Sequence, residues 1–171
     1  LYEWADAARV QGDPILTHKA LYLNMPFFVA RALFYFAVWI GLGYVLDRSS
    51  VELDATAGNE RAYQRISGRL QALSGGGLLL MGLTITFSSV DWAMSLDPHW
   101  FSTMYGVMFM VGQAVAAMAF MIVMVALLSR EGPLARVLEP SHVHDLGKLQ
   151  LAFVMLWAYI HVSQWIIIWS G

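Results

Sequence analysis

The fold is decided by residues 98–129, PHWFSTMYGVMFMVGQAVAAMAFMIVMVALLS, which contain no aspartate, glutamate, lysine or arginine. Residues 70–90 and 149–171 also lack these four residue types, and residues 25–46 contain only Arg31. The hydrocarbon core of a bilayer is about 30 Å thick, so a spanning helix needs roughly 20 mostly apolar residues. All four runs reach that length. The sequence therefore predicts an all-α integral membrane protein with four transmembrane helices.

The composition agrees with a membrane protein and excludes several kinds of chemistry. Of the 171 residues, 58% are hydrophobic and 13% are charged, whereas a soluble domain has about 25% charged residues. The net charge of −2 offers nucleic acid no basic surface. The chain has no cysteine, which excludes cysteine-ligated iron–sulfur clusters, c-type haem attachment and disulfides. Because the chain runs from Leu1 to Gly171 and ends on an apolar run, we expect it to be an internal segment of a longer membrane protein.

Residues 1–24 are mixed and polar, and we expect them to form an interfacial segment ahead of a four-helix domain, residues 25–171. The predicted helices span residues 25–46, 71–95, 98–128 and 146–170. Asp97 with Pro98 predicts the start of the third helix, and Asp145 is a candidate cap for the fourth. The short connections favour an up-down-up-down bundle.

Positive charge is concentrated in two polar loops, residues 47–70 and 129–147, and at the residue that follows the second loop. The basic residues on that side are Arg48, Arg61, Arg65, Arg69, Arg130, Arg136 and Lys148. The opposite side carries only Arg9 and Lys19. The positive-inside rule therefore predicts that both loops are cytoplasmic and that the interfacial segment is periplasmic.

Each predicted helix carries a polar stripe at helical spacing, and two of the stripes contain an ion. Arg31 lies about 9 Å inside the first helix and Asp91 about 7 Å inside the second, counted from the same face at 1.5 Å per residue. An unpaired ion in a bilayer is costly, so we expect Arg31 and Asp91 to form an ion pair. The pair could be a structural salt bridge, or it could handle protons, with Asp91 as the acceptor and Arg31 as its counter-ion.

Other polar residues extend this hypothesis. His99 and His161 are secondary candidates for proton handling, since imidazole titrates near neutral pH. A proton path could continue through Thr84, Ser88, Gln113, Gln164 and Lys148. The same hydroxyl and amide groups could instead only join helices, which is a common use in membranes. Trp92 and Trp100 flank Asp91 and His99, and with Asp91 they are candidates for lining a quinone cleft.

Three other interpretations of these residues are a haem b site, a metal site and an ion-coupled transporter. A haem b would need two histidines at matched depth, and His99 near the surface pairs poorly with the deeper His161. The loop sequence His142-Val143-His144-Asp145 is a weak metal signal, and we expect no metal site there. An ion-coupled transporter would show interrupted helices, and only Gly75–Gly77 suggests such an interruption here.

Three stretches of the chain resemble a known family. They are DPILTHKALYLNMPFFVARALFYFAVW (13–39), DWAMSLDPHWFSTMYG (91–106) and HDLGKLQLAFVMLWAYIHVSQWIIIWSG (144–171). The chain resembles the membrane subunits of alternative complex III, a bacterial quinol:cytochrome c oxidoreductase. Among these it is most similar to the second of two large NrfD-like (polysulfide-reductase-like) subunits, also described as quinone-binding subunit 2. Such a subunit has more helices than this chain, so the resemblance implies a fragment of one.

The resemblance implies a membrane subunit of a respiratory chain in the bacterial inner membrane, and not an enzyme by itself. It would support electron transport by helping quinol oxidation or proton translocation, or it would be a non-catalytic structural subunit. Quinone or quinol would be the substrate, with no covalently bound cofactor in this chain. The implied partners are iron–sulfur and haem c subunits, a sister NrfD-like subunit and the lipid membrane, with no nucleic acid. The matching polar positions are Arg31, Asp91, His99, Lys148 and His161.

Overall fold

The chain consists of helices and the segments that join them, as seen in a computed structural model of the protein. The structure describes residues 2–56, 59–129 and 138–170. These residues contain no β-strand, and their α-helices are α1 Ala7–Gly12, α2 Pro14–Lys19, α3 Met25–Asp54, α4 Glu60–Trp92, α5 Tyr105–Leu128 and α6 Pro140–Ser170. Two short 3-10 helices, Glu3–Ala5 and Met94–Leu96, precede α1 and follow α4.

Four of these helices, α3 to α6, are long and apolar enough to cross a bilayer. The mean hydropathy of their most apolar stretches is 1.7, 1.5, 2.4 and 1.8 in chain order. Large apolar side chains on them are exposed, among them Leu33, Leu79 and Ile167 at 65%, 74% and 61%. Such surface is unfavourable in water and is covered in a bilayer. The predicted fold class, all-α with four membrane-spanning helices, is confirmed, and the protein is a multi-pass membrane protein.

The chain divides into two compact units, Leu1–Tyr105 and Gly106–Gly171. In the first unit α3 and α4 run antiparallel and bury polar residues between them, while their apolar residues face outward. The buried residues of α4 include Thr84, Ser88 and Asp91, which the sequence places on one stripe. This confirms the predicted inward-facing stripe of α4.

The interfacial segment folds onto the end of α4. Asp6 and Asp13 cap α1 and α2 with their side chains, which satisfies amide groups at the start of each short helix. The Tyr2 hydroxyl donates to the Trp92 carbonyl at 3.1 Å, and the Trp4 indole donates to the Ser95 carbonyl at 3.2 Å. The segment and the end of α4 therefore lie at the same end of the first unit, as the sequence predicts.

The predicted loop over residues 47–70 is mostly helical, so its predicted extent is wrong. α3 continues to Asp54, and α4 begins at Glu60 behind Asn59, whose side chain accepts from the Ala62 amide at 3.2 Å. Charged residues ended the apolar runs in the sequence, but arginine, glutamate and glutamine favour helix in water. The charges mark where each helix leaves the apolar layer and not where the helix ends.

Two predicted caps are also wrong. Asp97 does not start α5, which begins at Tyr105; instead its side chain accepts from the His99 amide at 3.2 Å in a turn. Asp145 lies inside α6, which begins at Pro140, and its carboxylate pairs with Lys148 at 3.2 Å. A local sequence motif marks a possible helix start, but the contacts made by the flanking segment decide whether it is used.

The second unit contains most of α5 together with α6. The Trp157 indole of α6 lies against Gly112 of α5, where a methyl group would be 3.4 Å from its nitrogen. The Gln150 side chain donates to the Val115 carbonyl at 3.3 Å. Arg130 and Arg136, which the topology prediction counts in the loop 129–147, lie outside the described residues. The cytoplasmic placement of both loops stays a prediction.

Candidate functional site

Arg31 and Asp91 form the predicted ion pair in the first unit. The guanidinium donates from Nε to Asp91 Oδ2 at 2.8 Å and from Nη2 to Oδ1 at 3.0 Å, which is a two-pronged contact. The side chains are 10% and 1% exposed. Parallel hydrogen bonds of this kind fix orientation as well as charge. The predicted pair is confirmed, and it is among the most deeply buried polar contacts of the described chain.

Tyr35 completes the hydrogen bonding of the carboxylate. Its hydroxyl donates to Asp91 Oδ2 at 2.7 Å from one turn further along α3 than Arg31. Asp91 therefore accepts three hydrogen bonds from side-chain donors, two on Oδ2 and one on Oδ1. The sequence places Tyr35 on the polar stripe with Arg31, but helical spacing alone did not predict it as a hydrogen-bond donor to Asp91.

Tyr22 holds the other side of the guanidinium, and sequence reasoning missed it too. Its carbonyl accepts from Arg31 Nη1 at 3.0 Å, and its ring lies 3.9 Å from the guanidinium carbon. The Phe27 ring lies 4.3 Å from the same atom. Aromatic faces attract cations, most strongly where water is excluded. Arg31 is thus shared between a carboxylate on α4 and an aromatic pocket at the membrane surface.

The Tyr22 hydroxyl is buried and has no well-aligned hydrogen-bond partner among the described residues. Burial, together with the nearby Asp91 carboxylate, raises the pKa of Tyr22 to about 12. The phenol is therefore protonated at physiological pH. A buried donor without a partner is rare and calls for a physical reason, such as a ligand or an ordered water.

A partly open cavity of about 250 Å³ lies beside this cluster. It is lined by Lys19, Tyr22, Leu23, Val90, Met94, Ser95, Pro98 and Trp100. Ligand pockets usually span about 300–1,000 Å³, so this one would suit a single ring or head group. The Ser95 hydroxyl donates to the Asp91 carbonyl. Tyr22, whose carbonyl accepts from Arg31, thus connects the cavity wall to the ion pair, while the Ser95 hydroxyl bonds to the backbone of Asp91.

Trp92, Trp100 and Asp91, which were predicted to line a quinone cleft together, lie in different surroundings in the structure. Trp100 lines the cavity. Trp92 instead packs among aromatic rings, with centroids 6.0 Å from Tyr35, 5.7 Å from Phe36 and 5.7 Å from Trp39. Asp91 is buried behind the wall of the cavity. Trp92 therefore supports the aromatic packing around Tyr35, and Trp100 is better placed to touch a ligand.

His99 does not contact Asp91 but pairs with Asp13 of the interfacial segment, with 2.6 Å between Nε2 and Oδ2. The pKa of Asp13 is lowered, mainly because its carboxylate accepts from the Ile15 amide, with His99 as a further cause. Next to this pair, Lys19 Nζ donates to the Pro98 carbonyl at 2.5 Å. His99 thus joins the interfacial segment to the mouth of the cavity.

Two residues of the predicted proton path, Thr84 and Ser88, use their hydroxyl groups within α4. Thr84 donates to the Leu80 carbonyl at 2.9 Å and accepts from the Trp39 indole at 2.9 Å. Ser88 donates to the Ile85 carbonyl at 2.9 Å. Hydroxyl groups that donate to backbone carbonyls of their own helix are a common structural arrangement. Their geometry favours the structural reading for these two residues.

The other predicted path residues lie in the second unit. His161 Nδ1 is 2.9 Å from the Trp157 carbonyl, and the His161 and Trp157 rings are tilted by 36° with centroids 4.1 Å apart. Gln113 is exposed, Gln164 is half-buried, and Lys148 is exposed and paired with Asp145. A path from Asp91 through these residues would have to cross between the units and stays a prediction.

Comparisons with models of known protein families and with curated proteins give no match to this chain. The resemblance to alternative complex III therefore stays a hypothesis that rests on the three quoted stretches. Among the described residues, no three histidine, aspartate or glutamate side chains are grouped to hold a metal ion. The chemistry of the candidate site is that of a buried acid, its cation and two tyrosines beside a cavity.

Proposed function

We propose that this chain is part of a membrane subunit of a respiratory quinol:cytochrome c oxidoreductase of the alternative complex III type. The observation that carries the proposal is the buried Arg31–Asp91–Tyr35 cluster beside a cavity at the membrane surface. Intramembrane ions are costly and most often mark ion or proton sites. The family assignment comes from the three resembling stretches of sequence.

Quinol oxidation releases two protons and two electrons and forms quinone. The polar residues around the cavity can serve the proton side of this reaction. Tyr22 and Trp100 line the cavity, where a ring could stack on the indole and hydrogen-bond to the phenol. Asp91, whose carboxylate lies near the Tyr22 hydroxyl, would take a proton from the cavity side. The electrons would pass to iron–sulfur and haem c groups of partner subunits.

The proposal places the chain in the bacterial inner membrane. The interfacial segment and the cavity would face the periplasm, where released protons add to the proton-motive force. The ends of α3 and α4 that carry Arg48, Arg61 and Arg69 would face the cytoplasm. A sister NrfD-like subunit would complete the membrane part of the complex.

A structural role is the second candidate, and the geometry of Asp91 favours it. A carboxylate with three side-chain donors is fully satisfied as an ion, and Thr84 and Ser88 bond to their own helix. In that case the pair would fix the register of α3 against α4, as buried polar contacts can. The activity of an assembled complex would then survive a neutral replacement.

The test is quinol:cytochrome c turnover with proton release in the full-length complex carrying Asp91→Asn. Asparagine keeps the size of the side chain and can still accept from Tyr35, but it cannot take a proton. The matched control is Asp97→Asn, an exposed aspartate at the same end of the first unit. Subunit content and haem content are measured before activity.

Loss of turnover or of proton release in an assembled Asp91→Asn complex, with Asp97→Asn active, would support the proton-handling role. Full turnover and proton release in both variants would refute it and favour the structural role. A complex that holds no quinol-dependent activity before any substitution would contradict the respiratory assignment itself.

A further inference from the structure

Three arginines form a strip along the first half of α4. Arg61, Arg65 and Arg69 follow one another at steps of four residues, which places them on one face of the helix. We call Arg61, Arg65 and Arg69 the arginine strip. It ends directly before Leu70, where the uncharged run of α4 begins. The strip is thus continuous with the membrane-spanning part of its own helix.

The arginine strip is exposed and has no counter-ion among the described residues. All three side chains are exposed, and none takes part in an ion pair or hydrogen bond with another described residue. By contrast, Arg9 pairs with Glu3 at 2.9 Å and Arg31 pairs with Asp91. Three neighbouring guanidinium groups without counter-ions repel one another unless an anion binds.

The depth of the strip places its inner end at the membrane surface. Gly77 of α4 lies against Leu42 of α3. From that contact, Arg69 is about 12 Å towards the tip of the helix pair and Arg48 on α3 is about 9 Å, at 1.5 Å per residue. Arg48 donates to the hydroxyl of Tyr44, a 61% exposed ring. Exposed tyrosines of this kind settle at the level of lipid head groups.

Charge is separated along this end of the helix pair. Counted from the same contact at 1.5 Å per residue, Arg69 lies at about 12 Å, closer to the apolar layer than Glu52 and Asp54 at about 15 and 18 Å. Arg65 and Arg61 lie at about 18 and 24 Å, level with or beyond these acidic residues. Asp47 offsets the positive charge of its neighbour Arg48. The net positive charge nearest to the membrane therefore comes from Arg69 of α4.

We propose that the arginine strip binds the phosphate head groups of anionic phospholipids in the leaflet on this side of the membrane. The strip begins where the apolar run ends, so a lipid whose acyl chains lie along α4 has its phosphate at Arg69. Guanidinium groups match phosphate oxygens with paired hydrogen bonds. An acidic protein partner would gain nothing from this continuity with the apolar run. The inference does not depend on the proposed respiratory function.

The experiment measures lipid selectivity of the purified full-length protein in detergent micelles. Thermal unfolding is followed as phosphatidylglycerol or phosphatidylcholine is added, since a ligand of the folded state raises its melting temperature. The variant carries Arg61→Gln, Arg65→Gln and Arg69→Gln together. The controls are Arg9→Gln, which removes one exposed arginine at the other end of the first unit, and a variant with lysine at all three strip positions.

The wild type is expected to be stabilised more by phosphatidylglycerol than by phosphatidylcholine. A basic residue near an anionic surface strengthens binding about fivefold, and Arg69 lies nearest to that surface, so the triple glutamine variant should bind phosphatidylglycerol at least about fivefold more weakly. Arg9→Gln should keep the selectivity and the lysine variant should keep most of it. A second readout is the phosphatidylglycerol that copurifies with each protein, measured by mass spectrometry.

Equal stabilisation by both lipids, or unchanged selectivity in the triple glutamine variant, would overturn the proposal. So would full reproduction of the effect by inorganic phosphate, because the strip would then bind a free anion. If the triple variant unfolds before lipid is added, Arg69→Gln alone gives the same comparison with an expected loss of about fivefold.

Discussion

Replacing Arg31 with glutamine should destabilise the first unit far more than replacing any exposed arginine. The substitution removes two hydrogen bonds to a carboxylate that is 1% exposed, and a third to the Tyr22 carbonyl. Breaking a buried ion pair by removing one partner costs about 3–5 kcal/mol, because the remaining charge stays buried without compensation. We expect Arg31→Gln to lower the free energy of unfolding by about that amount.

The same reasoning predicts rescue by a second substitution. Adding Asp91→Asn to Arg31→Gln removes the uncompensated charge and keeps an acceptor for the Tyr35 hydroxyl. The double variant should therefore recover more than half of the lost stability. The coupling between the two sites, obtained from a double-mutant cycle, should be at least about 1.5–2.5 kcal/mol, half of the Arg31→Gln loss, and larger by whatever Asp91→Asn alone costs.

The assay is unfolding of the purified full-length protein by a denaturing detergent, followed by circular dichroism. Arg48→Gln is the matched control: Arg48 is on the same helix but exposed, and it should change stability by no more than about 0.5 kcal/mol. A loss below about 1 kcal/mol for Arg31→Gln would refute the reasoning, since that is the range of an exposed ion pair. Failure of Asp91→Asn to rescue would refute it as well.

Three further predictions concern single contacts. Tyr35→Phe removes one donor to the buried carboxylate and should cost about 1.5–3 kcal/mol in the same unfolding titration. Gly112→Leu forces a side chain against the Trp157 indole and should cost about 1–3 kcal/mol, whereas Gly112→Ala, with its methyl 3.4 Å from the indole nitrogen, should cost less. The pKa of Asp13 lies below its ordinary value of 3.8, so the contacts of its carboxylate, first with the Ile15 amide and then with His99, stabilise the fold above that pH and are lost as pH falls through the lowered value. Limited proteolysis of the interfacial segment should therefore speed up below about pH 4 in the wild type, and Asp13→Asn should show the faster rate already at neutral pH.

The ion pair could be predicted from sequence because two simple rules apply to its residues. Charged side chains in lipid must be paired, and helical rise converts residue number into depth. Arg31 and Asp91 were the ions near one end of the first two apolar runs, and counting placed them at similar depth. A helix end that is wrong by three residues, as at α4, which ends at Trp92 and not at residue 95, changes the estimated depth by about 4.5 Å. The requirement that an ion in lipid be paired selects the partner despite this error.

The ligands around the pair could not be predicted in the same way. Tyr22 precedes α3, and its carbonyl reaches Arg31 only because the chain turns between α2 and α3. Periodicity carries no information about such a turn. The helix ends were predicted wrongly for a related reason. Glu60 and Arg65 indicate exposure to water, but both residue types are good helix formers. Exposure and helicity are separate properties, and the sequence pattern reports the first more directly.

The hydrogen bonds inside the first unit bear on where a proton from Asp91 could go. Along α4 into the membrane, the next hydroxyl groups are those of Ser88 and Thr84, and both donate to backbone carbonyls of their own helix. A relay through them would have to break these bonds in the apolar layer, where unpaired groups are costly. Towards the cavity, the Tyr22 hydroxyl lies near the Asp91 carboxylate and donates to no backbone carbonyl of the described residues. If Asp91 handles protons, we therefore expect exchange with the cavity side, and passage across the membrane would need residues outside the first unit.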